Sequence, residues 1–409
     1  MRITVLCPHF APDTAPTGEV MTRLVHELAA QGHELHVVTS LPWYHQHAVE
    51  PEWRGRLVRR EKTEWGRITR VHPFASKDKT NLVLRAAAFA VFTSVSTLVG
   101  CLTRRTDAVL AMSPPLTLGP AGWIVALRMR CPLVFNIQDV YPDAAVETGA
   151  ITSSRVIQVL RWLERFSYSR AAAVTVLSED LAENVRQRVD DEAKVRVIPN
   201  FVDTERIVPL DRRTAYRAEL GIGNQIVVMY AGNMGYSQPL EMIVESARRL
   251  SHRSDVHFLI NGDGARRPEI EREAEALDNL TVVGLQPRER VPEVLATGDI
   301  HLVLLREGLA KVSVPSKMYS ILAAGRPVLA SVDTGSEVDR VVGRTGAGRA
   351  VAPGDVDALV AAVEHFVDEP LSRIAAGDSG RAFAETWLSP ASVGAAYGDL
   401  LEELRATKQ

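Results

Sequence analysis

A lysine and two serines at the start of a short predicted helix form the segment best suited to bind an anion. The apolar residues that follow Lys317, and the Gly325 and Pro327 that end them, predict a helix over residues 317–324. The first turn of a helix has unpaired N–H groups and the positive end of the helix dipole, which favour a phosphate or diphosphate. Ser313, Ser316 and Lys317 add directed donors there. The alternative is a capped surface helix whose lysine is solvated.

Glycine or small polar residues follow the predicted strands in the second half of the chain. The strands are predicted at 225–230, 256–261, 280–283 and 299–305. The residues just beyond the first three are Gly232, Asn233, Gly262, Asp263, Gly264, Gly284 and Leu285. Such turns let the backbone approach a phosphate, a ribose or a base closely. Repeated at successive strand ends, they predict a nucleotide site.

The first half of the chain opens with a strand, a loop, a helix and a second strand, which is the unit that builds parallel sheets. The loop at 8–13 lacks the glycines of a dinucleotide fingerprint, which argues against a nicotinamide or flavin enzyme. Gly18, at the start of the helix, can face a ligand. Asp139 follows a strand predicted at 133–137, and ligands bind in open α/β sheets just past the carboxyl ends of parallel strands.

The length of 409 residues and the repeated strand–helix pattern predict two Rossmann-like α/β domains that face each other across a cleft. We expect an N-terminal domain over 1–203 and a C-terminal domain over 204–387, with the last segment, 388–409, packing back on the first domain. The three cysteines are too few and too scattered for a disulfide framework or a zinc site, which favours a reducing cytoplasm.

The charge of the chain is concentrated in one segment. Residues 51–105 carry 12 Lys or Arg and 4 Asp or Glu, a net +8 in a chain whose total is −3. This predicts an anionic partner, either the inner face of a membrane or a phosphorylated acceptor; an exposed basic face without a partner is the alternative. No nucleic acid is expected. The apolar helix predicted at 82–102 carries hydroxyls and an arginine, so contact with the membrane edge is favoured over a span.

Taken together, the motifs resemble glycosyltransferase family 4, which has the two-domain GT-B architecture. The motifs are Pro8-x-x-x-Pro12 with Gly18, Gln138-Asp-Val-Tyr-Pro-Asp143, Tyr230-Ala-Gly-Asn-Met-Gly235, Gly262-Asp-Gly264, Pro315-Ser-Lys-Met-Tyr319 and Ala323-Ala-Gly-Arg-Pro327. The sequences of these motifs are similar to those of the branch that transfers N-acetylfucosamine and related sugars in colanic-acid and O-antigen assembly. The resemblance implies retention of anomeric configuration, no metal or other cofactor, and a nucleotide sugar bound mainly by the C-terminal domain.

The chain departs from the family pattern at two places. The arginine and lysine that often bind the diphosphate are replaced by Asn233 and Gln238, so Lys317 and then Arg306 are the candidates to supply positive charge. The glutamate that usually holds the ribose falls on Ser320. Glu307 resembles the start of the same element and is a candidate contact to the donor sugar.

The expected reaction moves a sugar from a nucleoside-diphosphate sugar, most simply UDP-linked, to a hydroxyl of a saccharide or polyprenyl-diphosphate-linked acceptor. The helix start at Lys317 and backbone donors near Gly18 would stabilise the leaving diphosphate, and Asp139 would orient the acceptor or act as a base. Asp355 and Asp357 match a metal-binding pattern but are predicted to cap a helix. Two alternatives stay open: a GT-B sugar-nucleotide epimerase, and a non-catalytic sugar-nucleotide-binding protein of envelope assembly.

Overall fold

The computed structural model describes residues 1–44, 48–74, 82–103, 105–143, 151, 153–309 and 317–407. The chain divides into two compact units. Unit 1 comprises Met1–Asn200 and Pro390–Gln409, and unit 2 comprises Phe201–Ser389. Each unit has one sheet with helices packed on it.

Unit 1 has an eight-stranded sheet in the order β3-β4-β2-β1-β5-β6-β7-β8, parallel except where β3 pairs antiparallel with β4. The strands are β1 Arg2–Leu6, β2 Glu34–Ser40, β3 Val58–Thr63, β4 Gly66–Val71, β5 Ala108–Ser113, β6 Leu133–Ile137, β7 Ala173–Val176 and β8 Val195–Val197. The helices of this unit are α1 Pro16–Ala30, α2 Leu82–Cys101, α3 Leu118–Met129, α4 Ser154–Arg170, α5 Glu179–Arg186 and, at the end of the chain, α14 Pro390–Ala406.

Unit 2 has a six-stranded parallel sheet in the order β11-β10-β9-β12-β13-β14. The strands are β9 Ile226–Asn233, β10 Val256–Asp263, β11 Leu280–Val283, β12 Ile300–Leu304, β13 Val328–Ser331 and β14 Gly348–Val351. Its helices are α6 Ala215–Glu219, α7 Glu241–Arg249, α8 Arg267–Ala274, α9 Val291–Thr297, α10 Lys317–Ala323, α11 Glu337–Thr345, α12 Val356–Asp368 and α13 Pro370–Trp387. This is the doubly wound strand order, and it reverses between β9 and β12.

Burial explains why the central strands are continuous apolar runs. All six residues of β5 and all five of β12 are buried, because helices cover both faces of a parallel sheet. The last helix, α14, lies on α1, where Gly394 packs directly on Glu27 and Gly398 on Gln31. A β-carbon at Gly394 would lie 2.4 Å from the Glu27 β-carbon, so this position requires glycine, whereas at Gly398 the contact is with the flexible amide end of Gln31.

The predicted α/β class with two parallel sheets is confirmed, and most predicted strands are within one or two residues of the observed ones. The β3–β4 hairpin and β14 were not predicted, and α1 begins at Pro16, ahead of the Gly18 that the sequence places at the start of the helix. Proline suits this first helical position because its missing N–H has no partner there anyway.

The polar segment 204–223 belongs to unit 2 and contains α6. Tyr216 and Arg217 of this helix are buried, and Arg217 is paired with the buried Asp299 at 3.2 Å. Its polar composition therefore reflects buried pairing as well as exposure. Asp355 caps α12 by accepting a hydrogen bond from the Ala358 N–H at 2.9 Å, as predicted. Among the described residues, no helix has the length and apolar character needed to cross a bilayer.

Candidate active site

The carboxyl edge of the unit 2 sheet gathers most of the predicted donor-binding residues. β9 and β10 remain paired up to Gly232 with Gly262 and Asn233 with Asp263, so these four residues are strand residues and not the turn residues that the sequence predicts. They lie beside the reversal of strand order at β9 and β12, the position where open α/β sheets bind ligands.

Three glycines let the backbones at this edge come unusually close. A β-carbon at Gly262 would collide with the carbonyl oxygen of Gly232, and one at Gly264 would lie 2.6 Å from the carbonyl oxygen of Met234. Gly232 and Gly264 also have φ angles of +144° and +150°, which residues with a side chain rarely adopt. The result is an edge made of bare backbone.

Lys317 is the first residue of α10, and its ammonium points onto this backbone. Its Nζ lies 3.8 Å from the centroid of the Tyr230 ring and 3.1 Å from the point that a β-carbon on Gly232 would occupy. Tyr230 is fully buried, and its hydroxyl donates to the carbonyl oxygen of Asn233 at 2.6 Å, which fixes the ring under the lysine. The cation–π contact with this ring is attractive.

The lysine ammonium is buried and has no hydrogen-bond partner among the described residues. Burial lowers the pKa of Lys317 from 10.5 to about 7. A buried cation without an anionic partner is costly, and the cation–π contact offsets only part of that cost. Within residues 201–309 and 317–389, the described part of unit 2, nothing supplies the anion that would balance this charge.

Arg306, the second candidate cation, is already paired. It donates to the carbonyl oxygen of Tyr236 and to the Glu241 carboxylate, both at 2.7 Å. With the exposed Glu307, it lines an open groove of about 750 Å³ along α7. The three glycines at the sheet edge and Lys317 are not part of the lining of this groove. The side chain of Gln238 is turned back onto its own loop, where Oε1 accepts from the Gly235 N–H at 3.2 Å.

The remaining predicted donor contacts have mixed placements. Asp263 accepts a hydrogen bond from the Gly264 N–H at 2.8 Å, and Leu285 is 61% exposed beyond β11. The Asn233 side chain lies against Gly235 and Gly264. Ser320 is half-buried in the first turn of α10, whereas Ser313 and Ser316 lie outside the described residues.

Sequence reasoning missed Arg267, at the start of α8. Its guanidinium lies 3.9 Å from the Asp263 carboxylate and 3.0 Å from the point that a β-carbon on Gly284 would occupy. Arg267 therefore places a cation at the ends of β10 and β11. The available signal was the pair of arginines that follows Gly264 just where a strand gives way to a helix.

In unit 1, a hydrogen-bond network fixes the loop that carries Asp139. Gln138 donates to Asn136 and accepts from Asn200, both at 2.8 Å, and Asn136 donates to the Tyr397 hydroxyl of α14 at 2.6 Å. Asp139 is itself exposed, yet the protein around its carboxyl desolvates it enough to raise its pKa. Asp139 is thus held at the carboxyl end of β6 by neighbours that bond to one another.

The loop after β1 forms a second polar group at the same edge of unit 1. His9 and the buried Asp13 share a hydrogen bond of 2.7 Å, and the His9 ring stacks on Trp43 with centroids 5.3 Å apart. Gly18 packs against this loop, since a β-carbon there would lie 2.8 Å from the His9 β-carbon.

Arg70 holds the loop between β1 and α1 in place by hydrogen bonds. It is 1% exposed and donates to the carbonyl oxygens of Phe10 and Ala11 and to the Glu61 carboxylate. Arg70 therefore does not contribute to the exposed positive charge that the composition of segment 51–105 suggests.

Comparison with known proteins adds the family. The "Glycosyl transferase 4-like domain" family matches residues 17–200, and "Glycosyl transferases group 1" matches residues 225–369. The putative colanic acid biosynthesis glycosyl transferase WcaI of Escherichia coli K12 is 27% identical over 407 residues, which cover 96% of this chain and 98% of the relative. The probable glycosyltransferase WbjE of Pseudomonas aeruginosa is 28% identical over 66% of this chain and 68% of its own length.

Two solved structures share the fold. Anabaena HepE in complex with UDP has a TM-score of 0.68 at 14% identity and covers 99% of this chain and 100% of its own. WaaG, a glycosyltransferase involved in lipopolysaccharide biosynthesis, has a TM-score of 0.65 at 17% identity, with 98% and 99% covered. Two parallel α/β units of this kind define the GT-B class of glycosyltransferase. The chain belongs to family 4 within that class and is a transferase enzyme.

Proposed function

We propose that this glycosyltransferase moves a sugar from a UDP-linked donor to a hydroxyl of a saccharide or polyprenyl-diphosphate-linked acceptor in envelope polysaccharide synthesis. The observation that carries the proposal is the buried ammonium of Lys317, which lies beside the Gly232 backbone and has no hydrogen-bond partner within the described part of the chain. A diphosphate supplies the anion that this site lacks. The names of WcaI and WaaG, and the UDP complex of HepE, support the envelope role and the nucleotide.

The donor lies along the carboxyl edge of the unit 2 sheet. Its diphosphate contacts Lys317 and the Gly232 backbone, while its ribose and base lie over Gly262, Gly264, Gly284 and the exposed Leu285. Arg267 lies at the β10 and β11 ends of the edge, where its Nε is paired with Glu271 and its terminal nitrogens face Gly284. Arg306 serves the diphosphate less well than predicted, because Glu241 already neutralises it.

In the reaction, the bond between the anomeric carbon and the diphosphate oxygen breaks, and the diphosphate takes the electron pair. Lys317 stabilises this developing charge, which is the role that donors directed at a transition state perform in other enzymes. The acceptor hydroxyl attacks the same face of the sugar, so configuration is retained, and its proton passes to the leaving phosphate oxygen. Asp139 orients the acceptor hydroxyl. The protein itself supplies the positive charge, so the proposed mechanism uses no metal.

We further propose that unit 1 contacts the inner face of a membrane, as the basic segment 51–105 predicts. Three neighbouring helices, α2, α3 and α4, extend the proposed contact surface beyond that segment. α2 packs on α3 through Gly100 and Val125, and α3 on α4 through Trp123 and Phe166. Their exposed large apolar residues are Val91, Leu98, Ile124, Leu127, Val156, Val159 and Trp162, with Leu102 just beyond α2.

The charges on these helices fit an anionic surface. Their exposed arginines are Arg128, Arg155, Arg161, Arg165 and Arg170, with Arg130 next to α3, and the one acid within α2, α3 and α4 is the buried Glu164. Apolar side chains flanked by arginine are typical of interfacial helices.

The test is turnover of a panel of UDP-sugars with and without lipid-linked saccharide acceptors, using the full chain and Lys317→Met. We expect a glycosylated acceptor from the full chain and at least a hundredfold lower kcat/KM for the variant. Conversion of the donor without acceptor would favour an epimerase. Binding without any turnover would favour a sugar-nucleotide-binding protein and would overturn the transferase proposal.

A further inference from the structure

A second cationic site lies in unit 1, at the opposite edge of its sheet from Asp139. The amino ends of β1, β2 and β4 and the residues after α2 enclose a groove of about 520 Å³. This volume is typical of small-molecule sites. The charged and polar side chains that line it are Arg2, Thr4, Glu34, His36, Arg60, Glu61, Lys62, Arg67, Thr103 and Arg105.

The two acids in the groove are already paired. Glu34 accepts a hydrogen bond from Arg2 at 2.9 Å, and Glu61 accepts one from the buried Arg70 at 3.0 Å. Five cations and two acids therefore line the groove, and both acids are engaged.

The other cations have no such neutralisation. Within the described part of the chain, Arg60, Lys62 and Arg105 form no ion pair. Lys62 is directly opposite Arg67 in the antiparallel β3–β4 pair, so the two side chains leave the same face of the hairpin. Like charges at such positions repel, and an anion bound between them relieves this repulsion.

The floor of the groove is polar but supplies no negative charge. The His36 ring accepts or donates hydrogen bonds to the hydroxyls of Thr103 at 2.9 Å and Thr69 at 3.0 Å. Burial, with smaller contributions from the positive charges of Arg67 and Arg60, lowers the pKa of His36 to about 3. The imidazole therefore stays neutral at physiological pH, and the positive potential of the two arginines extends to the floor.

We propose that this groove binds a phosphate group through Arg60, Lys62, Arg67 and Arg105. Arginine side chains present forked N–H donors that match phosphate oxygens, and the lysine adds a point charge. The site is separate from the proposed donor site, which lies in unit 2 at Lys317. The phosphate belongs either to an anionic phospholipid headgroup or to a soluble phosphate ester, since both present the same group to these side chains.

The test uses Arg60→Gln combined with Lys62→Gln, because both residues are exposed on β3 and neither supports the core. The control is Arg213→Gln combined with Arg272→Gln, which removes the same charge from exposed positions in unit 2. All chains also carry Lys317→Met, so that binding at the donor site does not mask the result. Calorimetry with glycerol 1-phosphate and flotation with vesicles containing phosphatidylglycerol or only phosphatidylcholine are the two assays.

We expect the β3 pair of changes to weaken binding at least tenfold in one of the assays, relative to the unit 2 pair. If only the binding of glycerol 1-phosphate is lost, the ligand of the groove is a soluble phosphate ester. If binding to the phosphatidylglycerol vesicles is lost, the ligand is a lipid headgroup. If the β3 and unit 2 variants are indistinguishable in both assays, the groove is not a phosphate site. A thermal unfolding curve of each variant checks that the chain is still folded.

Discussion

The carboxyl edges of the two sheets are built in opposite ways. In unit 1, side chains fill the edge and bond to one another: Gln138 to Asn136 and Asn200, and Asn136 to Tyr397. In unit 2, the edge is formed by glycines and ends at one lysine ammonium that no described residue contacts by a hydrogen bond.

The difference teaches what each edge can do. In unit 1 the side chains around Gln138 bond to one another, so the loop that carries Asp139 is held in place whether or not a ligand is bound. Unit 2 has glycines at its edge and a buried cation without a hydrogen-bond partner among the described residues, which lowers stability and provides a place for an anion. A rigid edge suits the orientation of an acceptor, and an incomplete edge suits the binding of a charged donor.

The largest expected effect comes from filling the unit 2 edge. Gly262→Ala places a methyl group against the Gly232 carbonyl and forces β9 and β10 apart, so we expect the free energy of unfolding to fall by about 3 kcal/mol. Urea unfolding measures this change in the free energy of unfolding. The control is Gly343→Ala, in α11, where a β-carbon meets no atom within 4 Å and a gain of up to about 1 kcal/mol is expected. Equal effects of the two changes would show that the close approach of β9 and β10 is not needed.

The second prediction concerns pH. Because the pKa of Lys317 in the folded chain is about 7, the lysine is neutral above that pH and must take up a proton to pair with a diphosphate. We expect the affinity for UDP to fall by about tenfold per pH unit from pH 7.5 to 9.5, where the terminal phosphate of UDP is already ionised. Calorimetry across this range measures the slope.

The same pKa sets the pH dependence of stability in the absence of ligand. The unfolded chain binds the lysine proton more tightly than the folded chain, so stability should rise with pH between about 7 and 10.5. Lys317→Met should abolish this contribution and flatten the UDP slope. A Lys317→Met chain whose UDP affinity keeps the full slope would assign the titration to another group.

The smallest effect is expected in unit 1. Tyr397→Phe removes one hydroxyl from the network, leaving Asn136 and Thr175 without that partner, and should lower the free energy of unfolding by about 1 kcal/mol. Tyr236→Phe is the control, since that side chain is 73% exposed and a change within about 0.5 kcal/mol is expected. If both variants unfold at the same urea concentration, the unit 1 network contributes nothing to stability.

Local patterns predicted the fold and part of the candidate site. Alternating apolar strands and helices indicated the two sheets, and the glycines after successive strands, with Lys317 at a helix start, indicated the bare edge. These features depend on residues close together in the sequence. The β3–β4 hairpin was not predicted because its strands carry alternating charged residues and no turn signal strong enough to outweigh them.

Pairing between distant residues could not be read from the sequence. Tyr230 lies under Lys317 although 87 positions separate them, and Glu241 neutralises Arg306 across 65 positions. Arg70 counted toward an exposed basic segment until the structure showed it buried against the β1–α1 loop. Charge composition gives the number of cations, and only the fold shows which of them remain unpaired.

The most direct test of the account is UDP binding by Lys317→Met at pH 7, measured by calorimetry beside the unaltered chain and Lys194→Met. Methionine keeps an apolar chain of similar length and removes the buried charge, so the variant should be at least as stable in urea as the unaltered chain. We predict at least tenfold weaker UDP binding for Lys317→Met and no change for Lys194→Met. Unchanged UDP affinity in a folded Lys317→Met chain would contradict the central claim that this ammonium holds the donor diphosphate.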